Sequence, residues 1–500
     1  MKLRSLREVR PIVHSLLLGA ALAVITVLAT GTLVGCAGDD RDPQTHIDKL
    51  KDPVQRPAAV KRLLQMYEDK MTEDKKNREG DHVKPLLDTM VEPLATLAQS
   101  GELDERTQGE LVSFLADTRH AKAIPALVKA IQEYRPDDKR ASDYDTRIGD
   151  VVRNIGEMTK AGTLKSKDLN EALLKLFTTM RASTPKAQNR AFFRVLNNTL
   201  LLISDPAWED RLITLLKRPI QSAKQKHMKV ITNEVYWQIT AAEILGELKS
   251  KKAVPQLIRT ILTPFKANIQ TTAINALIKI GKPAIDAGVK LLNGEEPELA
   301  KYAEAEYIRA AEDRGQDVSK NKKLKAAAAN AALNSAVIIV ANIGRQECAE
   351  PMLAVLEKGN KTTNALIGRE LYKLPADPKI TEAFKKVYEE TSVDQRIPPD
   401  VYAKEGLVES AGSFFDPDLA GWLAENALEL KGEQYDVESV QMTVLGIALK
   451  ASTPKNWGSV TKLLTKLPEV KAGTKKKWFL KNAKSTKGGK APEEGPYTEA

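Results

Sequence analysis

The sequence predicts an all-α chain, an α-solenoid in which antiparallel helix pairs stack side by side. Three observations carry this. Between His46 and Pro468 almost every stretch spaces its apolar residues at helical intervals, while the alternating runs and Asn-Gly punctuation of β-hairpins are essentially missing; the single Asn293-Gly294 closes a helical pattern. A helix–turn–helix unit recurs, with a proline opening its second helix. Aromatic residues make up only 5% of the chain, as suits Ala- and Leu-rich helices packed closely on one another.

The N-terminus comes first. Lys2, Arg4, Arg7 and Arg10 precede the uncharged run SLLLGAALAVITVLATGTLVG, and the composition turns abruptly polar at Asp39-Asp40-Arg41-Asp42. Basic start, apolar core and polar sequel form a secretory signal layout. The run is also long enough to span a bilayer as an uncleaved anchor, which takes about 20 apolar residues. Leu33-Val34-Gly35-Cys36 tips the balance, because it resembles the lipobox of bacterial lipoproteins. That resemblance implies a signal peptide over residues 1–35, cleavage that leaves Cys36 as the first residue, and a diacylglycerol with an N-acyl chain (palmitate-type lipid) on it. Two or more acyl chains anchor stably where one does not, so the membrane becomes a partner through Cys36. Residues 36–45 then read as a polar tether. Ala37-Gly38 after the cysteine, in place of an immediate Asp, favours the outer membrane facing the periplasm.

The body follows. In NEVYWQITAAEILGELKSKKAVPQLIRTIL, Val235, Ile239 and Ala242 form one stripe and Trp237, Ala241, Ile244 and Leu248 a second, so this helix is covered on more than one side. After a polar turn, Pro255 opens a helix with Leu257, Ile258, Ile261 and Leu262 on one face; proline in a first turn gives up no needed hydrogen bond. The unit recurs around Pro125, Pro283 and Pro351, and Gly246, Gly281 and Gly344 fall where first helices should end in a positive-φ cap. Asp205-Pro206, Asp377-Pro378, Asp416-Pro417 and Thr453-Pro454 read as a capping residue followed by proline. Trp208, Trp422 and Trp457 sit early in such helices and read as wedges between repeats.

This pattern resembles HEAT repeats over residues 46–468, room for about ten pairs of about 40 residues. Residues 135–146 read as a charged loop, and residues 294–333 as a charged insertion whose ELAKYAEAEYIRAAED and KLKAAAANAALN segments favour helix and add to or lengthen a pair. Residues 469–500, rich in lysine, lack the apolar content to order themselves; Trp478-Phe479-Leu480 among lysines could instead dock on anionic lipid.

Charge and chemistry narrow the function. The formal charge is +10, but the leader carries +3 and the tail from Lys471 carries +5, which leaves the body only +2 and no footprint for nucleic acid. With Cys36 lipidated, Cys348 has no partner and reads as a small buried hydrophobe. His14, His46, His82, His120 and His227 are scattered without metal-ligand spacing, and no phosphate-binding loop or nucleophile motif occurs. No metal, cofactor or catalytic residue is assigned. Stacked pairs offer a long surface lined by one helix of each pair, a shape that recognises macromolecules. The reading is a membrane-tethered scaffold for protein partners at the bacterial envelope, with Lys129, Gln132, Gln256, Arg259 and Glu357 on second helices as contacts. Two rivals stand beside it: an envelope-assembly factor binding glycan or peptidoglycan, and a lyase-like enzyme whose pocket would form at residues 294–333.

Overall fold

The computed structural model describes residues 39–134, 141–162, 166–182, 190–222, 225–359, 361–393 and 404–467. Cys36 with the leader, and Trp478-Phe479-Leu480 with the lysine-rich segment, lie outside them.

A short α1 (Pro43–Lys49) leads into the pair α2 (Arg56–Glu73) and α3 (Val83–Ser100), then α4 (Glu105–Thr118) and α5 (Ile124–Glu133), α6 (Ala141–Lys160) and α7 (Lys167–Thr179). Next come α8 (Arg190–Ile203) and α9 (Glu209–Lys217), α10 (Met228–Glu247) and α11 (Val254–Ile261), α12 (Ala267–Ile280) and α13 (Lys282–Leu292). Within residues 294–333 stand α14 (Pro297–Asp313) and α15 (Lys322–Ala329). The series resumes with α16 (Ala331–Ile343) and α17 (Ala349–Lys358), α18 (Lys361–Glu370) and α19 (Pro378–Glu390), α20 (Lys404–Ala411) and α21 (Pro417–Leu428), and α22 (Gln434–Lys450) and α23 (Trp457–Lys466).

The first helices of the pairs, α2 to α12 by even numbers and then α16 to α22, pack each on the next as one layer. The second helices make the other: α1, α3, α5 and α7, then α9, α11, α13, α17 and α19, then α21 and α23. Among the described residues, every substantial helix contact joins elements close in the chain, so the array stays open and its ends do not meet. A main hydrophobic core nevertheless runs from Ile47 to Leu467, with two small clusters beside it. The chain is therefore a helical repeat protein, an all-α solenoid.

Local chemistry sets the element ends. The Asp104 carboxylate accepts from the Arg106 and Thr107 amides at the start of α4, and Asp377 and Asp416 cap α19 and α21 ahead of their prolines. Asp205 caps a 3-10 turn, Pro206–Trp208, that runs into α9 and buries Trp208 completely. Gly281 and Gly344 close α12 and α16 at φ of 78° and 62°.

Three expectations need correction. Gly246 lies inside α10, not at a positive-φ cap: a β-carbon there would stand 2.9 Å from the Cα of Ala276, so glycine is required by the close approach of α12. Thr453-Pro454 does not cap a helix; Asn456 takes the Thr453 amide through Oδ1 and α23 begins only at Trp457. The stretch read as a loop through residue 146 is helical from Ala141.

Successive pairs are also stapled by side chains. A helix end leaves its last carbonyls without helical partners. Here donors on the next first helix supply them: Gln108 Nε2 to Ala98 O (2.7 Å), Gln270 to Ile261 O (2.8 Å), Asn364 Nδ2 to Leu356 O (3.2 Å) and Gln441 to Ala427 O (2.8 Å). Lys404 does the same from α20, its buried ammonium donating to Tyr388 O.

Candidate functional site: a groove on the second helices

The second-helix layer opens between α5 and α14. α7 and α9 are joined by a bidentate ion pair of Arg211 with Glu171 (2.5 and 2.7 Å) and by Asn170 donating to Asp205 (2.7 Å), and beneath these lies a cavity of about 540 Å³ reaching Gln132. A larger one of about 910 Å³ lies between α9, α11 and α14. Thr214, exposed on α9, lines both, so the two form one groove.

The wall of the larger cavity is the inserted α14, which packs against α11 and the turn before α12. Its Tyr302 hydroxyl bonds Thr263 (2.8 Å), and the Arg259 guanidinium lies 5.0 Å from the Tyr302 ring centre. Arg309 lies 4.4 Å over Phe265 and pairs with Glu306 (2.5 Å). A guanidinium on an aromatic face is held in place while its N–H edge stays available. The same device recurs at Trp237, which Arg181 and Arg218 both approach at 5.0 Å while its indole N–H donates to Phe177 O (3.1 Å).

Lys266 sits at the floor. Burial pushes its ammonium down to about 8, partly offset by Glu234 and Glu306, and it donates to Leu216 O, the carbonyl that also accepts from Gln256 (3.2 Å). Lys252 pairs with Asp210 (2.5 Å), which holds its ammonium above the ordinary value, and the Arg211 bond holds Glu171 below the carboxylate range. The groove hydroxyls are occupied: Thr214 Oγ donates to Asp210 O and Thr263 Oγ to Arg259 O. Histidine is absent from both linings. This chemistry suits recognition by charge and hydrogen bonding.

The sequence-assigned contacts distribute as follows. Gln132 lines the smaller cavity, and Gln256 and Arg259 the larger. Lys129 is half-buried on α5 and donates to Gln99 O, and Gln256 is likewise half-buried and engaged with the preceding helix. Glu357 lines a separate cavity of about 190 Å³ between α17 and α19, with Glu390 and Lys386. Cys36 lies outside the described residues. Lys175, Lys217 and Arg211 were missed because they converge only once α7, α9 and α11 are stacked, and the α14 residues because their place depends on how the insertion packs. Among the described residues no cluster of metal-ligating side chains occurs.

No family model and no curated protein matches the sequence. Among the solved structures that align with it, two do so over most of its length. One is an engineered protein, 17% identical, covering 89% of this chain and 99% of its own at a TM-score of 0.30. The other comes from work on a conserved phosphorylation switch that controls the interaction between cadherin and beta-catenin; it is 11% identical and covers 88% and 94%, again at 0.30. Overlaps this loose carry no weight for fold or role, which rest on the packing and geometry above.

Proposed function

We propose that this protein is a lipid-tethered scaffold of the bacterial cell envelope that receives protein partners on its second-helix layer. The observation that carries the reading is the groove made by two adjoining cavities between α5 and α14, walled at one end by an inserted helix whose arginine and tyrosine side chains are pre-positioned. An open trough of this kind fits an extended chain better than a small molecule, which needs a concave pocket that buries most of its surface. The tether rests on Leu33-Val34-Gly35-Cys36 and the polar sequence after it, and the outer-membrane, periplasm-facing placement on Ala37-Gly38.

Two experiments test the halves separately. Cys36→Ser should abolish metabolic labelling with a palmitate analogue and with it the processed, membrane-retained form; unchanged processing and fractionation would favour the uncleaved anchor. For the partner, a photo-cross-linking residue at Thr214 in the groove should capture protein in living cells, and one at Asn275, exposed on the first helix α12, should not. Capture from Asn275 alone would refute the assignment of the face.

A further inference from the structure

Lys175 on α7, Lys217 on α9 and Arg259 on α11 are separated by 42 residues at each step, one per second helix. All three line the groove, Lys175 and Lys217 are exposed, and none has an ion-pair partner among the described residues. Around them the carboxylates are already engaged: Glu171 by Arg211, Asp210 by Lys252 and Glu306 by Arg309. Of the charged residues lining the two cavities eight are basic and three acidic, although the body as a whole carries only +2, so the groove holds an excess that the rest of the body balances elsewhere. The other end differs, since the α17–α19 cavity sets Glu357 and Glu390 against Lys386.

We infer that the ladder Lys175–Lys217–Arg259 binds an extended acidic polypeptide segment whose carboxylates stand three residues or more apart. Closely packed helices stand about 8–10 Å apart, and an extended chain advances about 3.3–3.6 Å per residue, so one helix step spans three residues of the ligand or more, α9 packing directly on α11 and α7 meeting α9 less closely. A segment laid across α7, α9 and α11 then meets one uncompensated cation per step. The paired residues Arg211 on α9 and Lys252 just before α11 line the same groove and present further N–H groups to its backbone carbonyls. A nucleic acid is disfavoured because three rungs in a nearly neutral body give little counterion release. The inference rests on the partner-binding reading above and specifies its ligand.

The test uses the full chain in detergent and fluorescein-labelled nine-residue peptides of one composition, read by anisotropy at low and at high salt. A peptide with Glu at its first, fourth and seventh positions should bind about tenfold or more tightly than its Gln counterpart. It should also bind better than a peptide with the three Glu contiguous, and lose affinity in salt. Lys217→Glu should weaken it about tenfold or more, with unchanged far-UV circular dichroism, whereas Lys431→Glu, exposed beyond the groove, should change it by less than about twofold. Equal binding of Glu and Gln peptides, equal effects of the two substitutions, or tighter binding of a single-stranded oligonucleotide would each overturn the ladder. If Thr214 still captures a partner in cells while the Glu peptide fails, the ladder falls and the scaffold stands; if capture fails as well, both fall.

Discussion

The two layers of this solenoid use the same kind of helix for opposite ends. In the first-helix layer α10 and α12 come so close that Gly246 leaves no space for a side chain against Ala276, and buried Ala241, Ala242 and Ala273 keep the helices near. In the second-helix layer α9 packs on α11 while α7 meets α9 only loosely, and together they leave a groove lined by long charged side chains. Small residues close a seam, whereas Lys and Arg stems cover apolar surface and keep a charged head in water. One layer therefore holds the array together while the other remains available for contact, and the insertion deepens the available side by adding α14.

The contrast breaks first at the seam. Gly246→Leu forces a side chain into the backbone of α12 and should cost about 3 kcal/mol or more, because overpacking a rigid interface moves backbone as well as side chains. Thr214→Leu, at an exposed groove position, should stay within about 0.5 kcal/mol. In a repeat array the damage is local, so hydrogen exchange should show lost protection centred on α10 to α13 before the ends. Equal destabilisation by the two substitutions would erase the distinction between the layers.

The staples between pairs come next. Gln441 is buried, and its amide serves the Ala427 carbonyl at the end of α21. Gln441→Leu removes the donor and strands the acceptor, at a cost of about 1–3 kcal/mol in urea unfolding. Gln441→Glu, a near-isostere lacking the donor, should do no better.

Much of this architecture was legible in the residues. The two stripes of α10 announced a helix covered on two sides, and Val235 and Ile239 indeed pack in a satellite cluster with Ile220, Ile231 and Ile269, apart from the main core that holds Trp237. Pro125, Pro255 and Pro283 open α5, α11 and α13 because their missing N–H is not needed there. Gly246 was misread because a glycine near a helix end serves either a positive-φ turn or a close neighbour, and only the neighbour decides. The groove was hidden for a related reason. Net charge averages over the whole body, and the rungs at Lys175, Lys217 and Arg259 align only once their helices are stacked. The wall formed by α14 is a contact between an insertion and helices before it, which no local pattern encodes.

The smallest expected effect lies at the floor where the layers meet. Burial lowers Lys266 to about 8 among Glu234, Glu306 and Arg309, and lowers Lys404 equally, with Glu389 nearby opposing the shift. Each folded-state value lies below that of the unfolded chain, so the unfolded chain binds more protons between about pH 8 and 10.5 and stability rises with pH across that window. Below pH 8 both states are protonated and the penalty is constant. Raised tyrosine values at Tyr67, Tyr236 and Tyr388 act the other way above pH 10, which confines the measurement to pH 8–10. After allowance for solvent screening of a partly enclosed ammonium, the rise should be on the order of 1 kcal/mol. Lys266→Met should flatten it without unfolding the repeat, because Gln256 still donates to Leu216 O once the ammonium is gone. A wild-type slope that persists in both Lys266→Met and Lys404→Met would mean that these lysines reach solvent, and that the seam between the layers is as open as the groove above it.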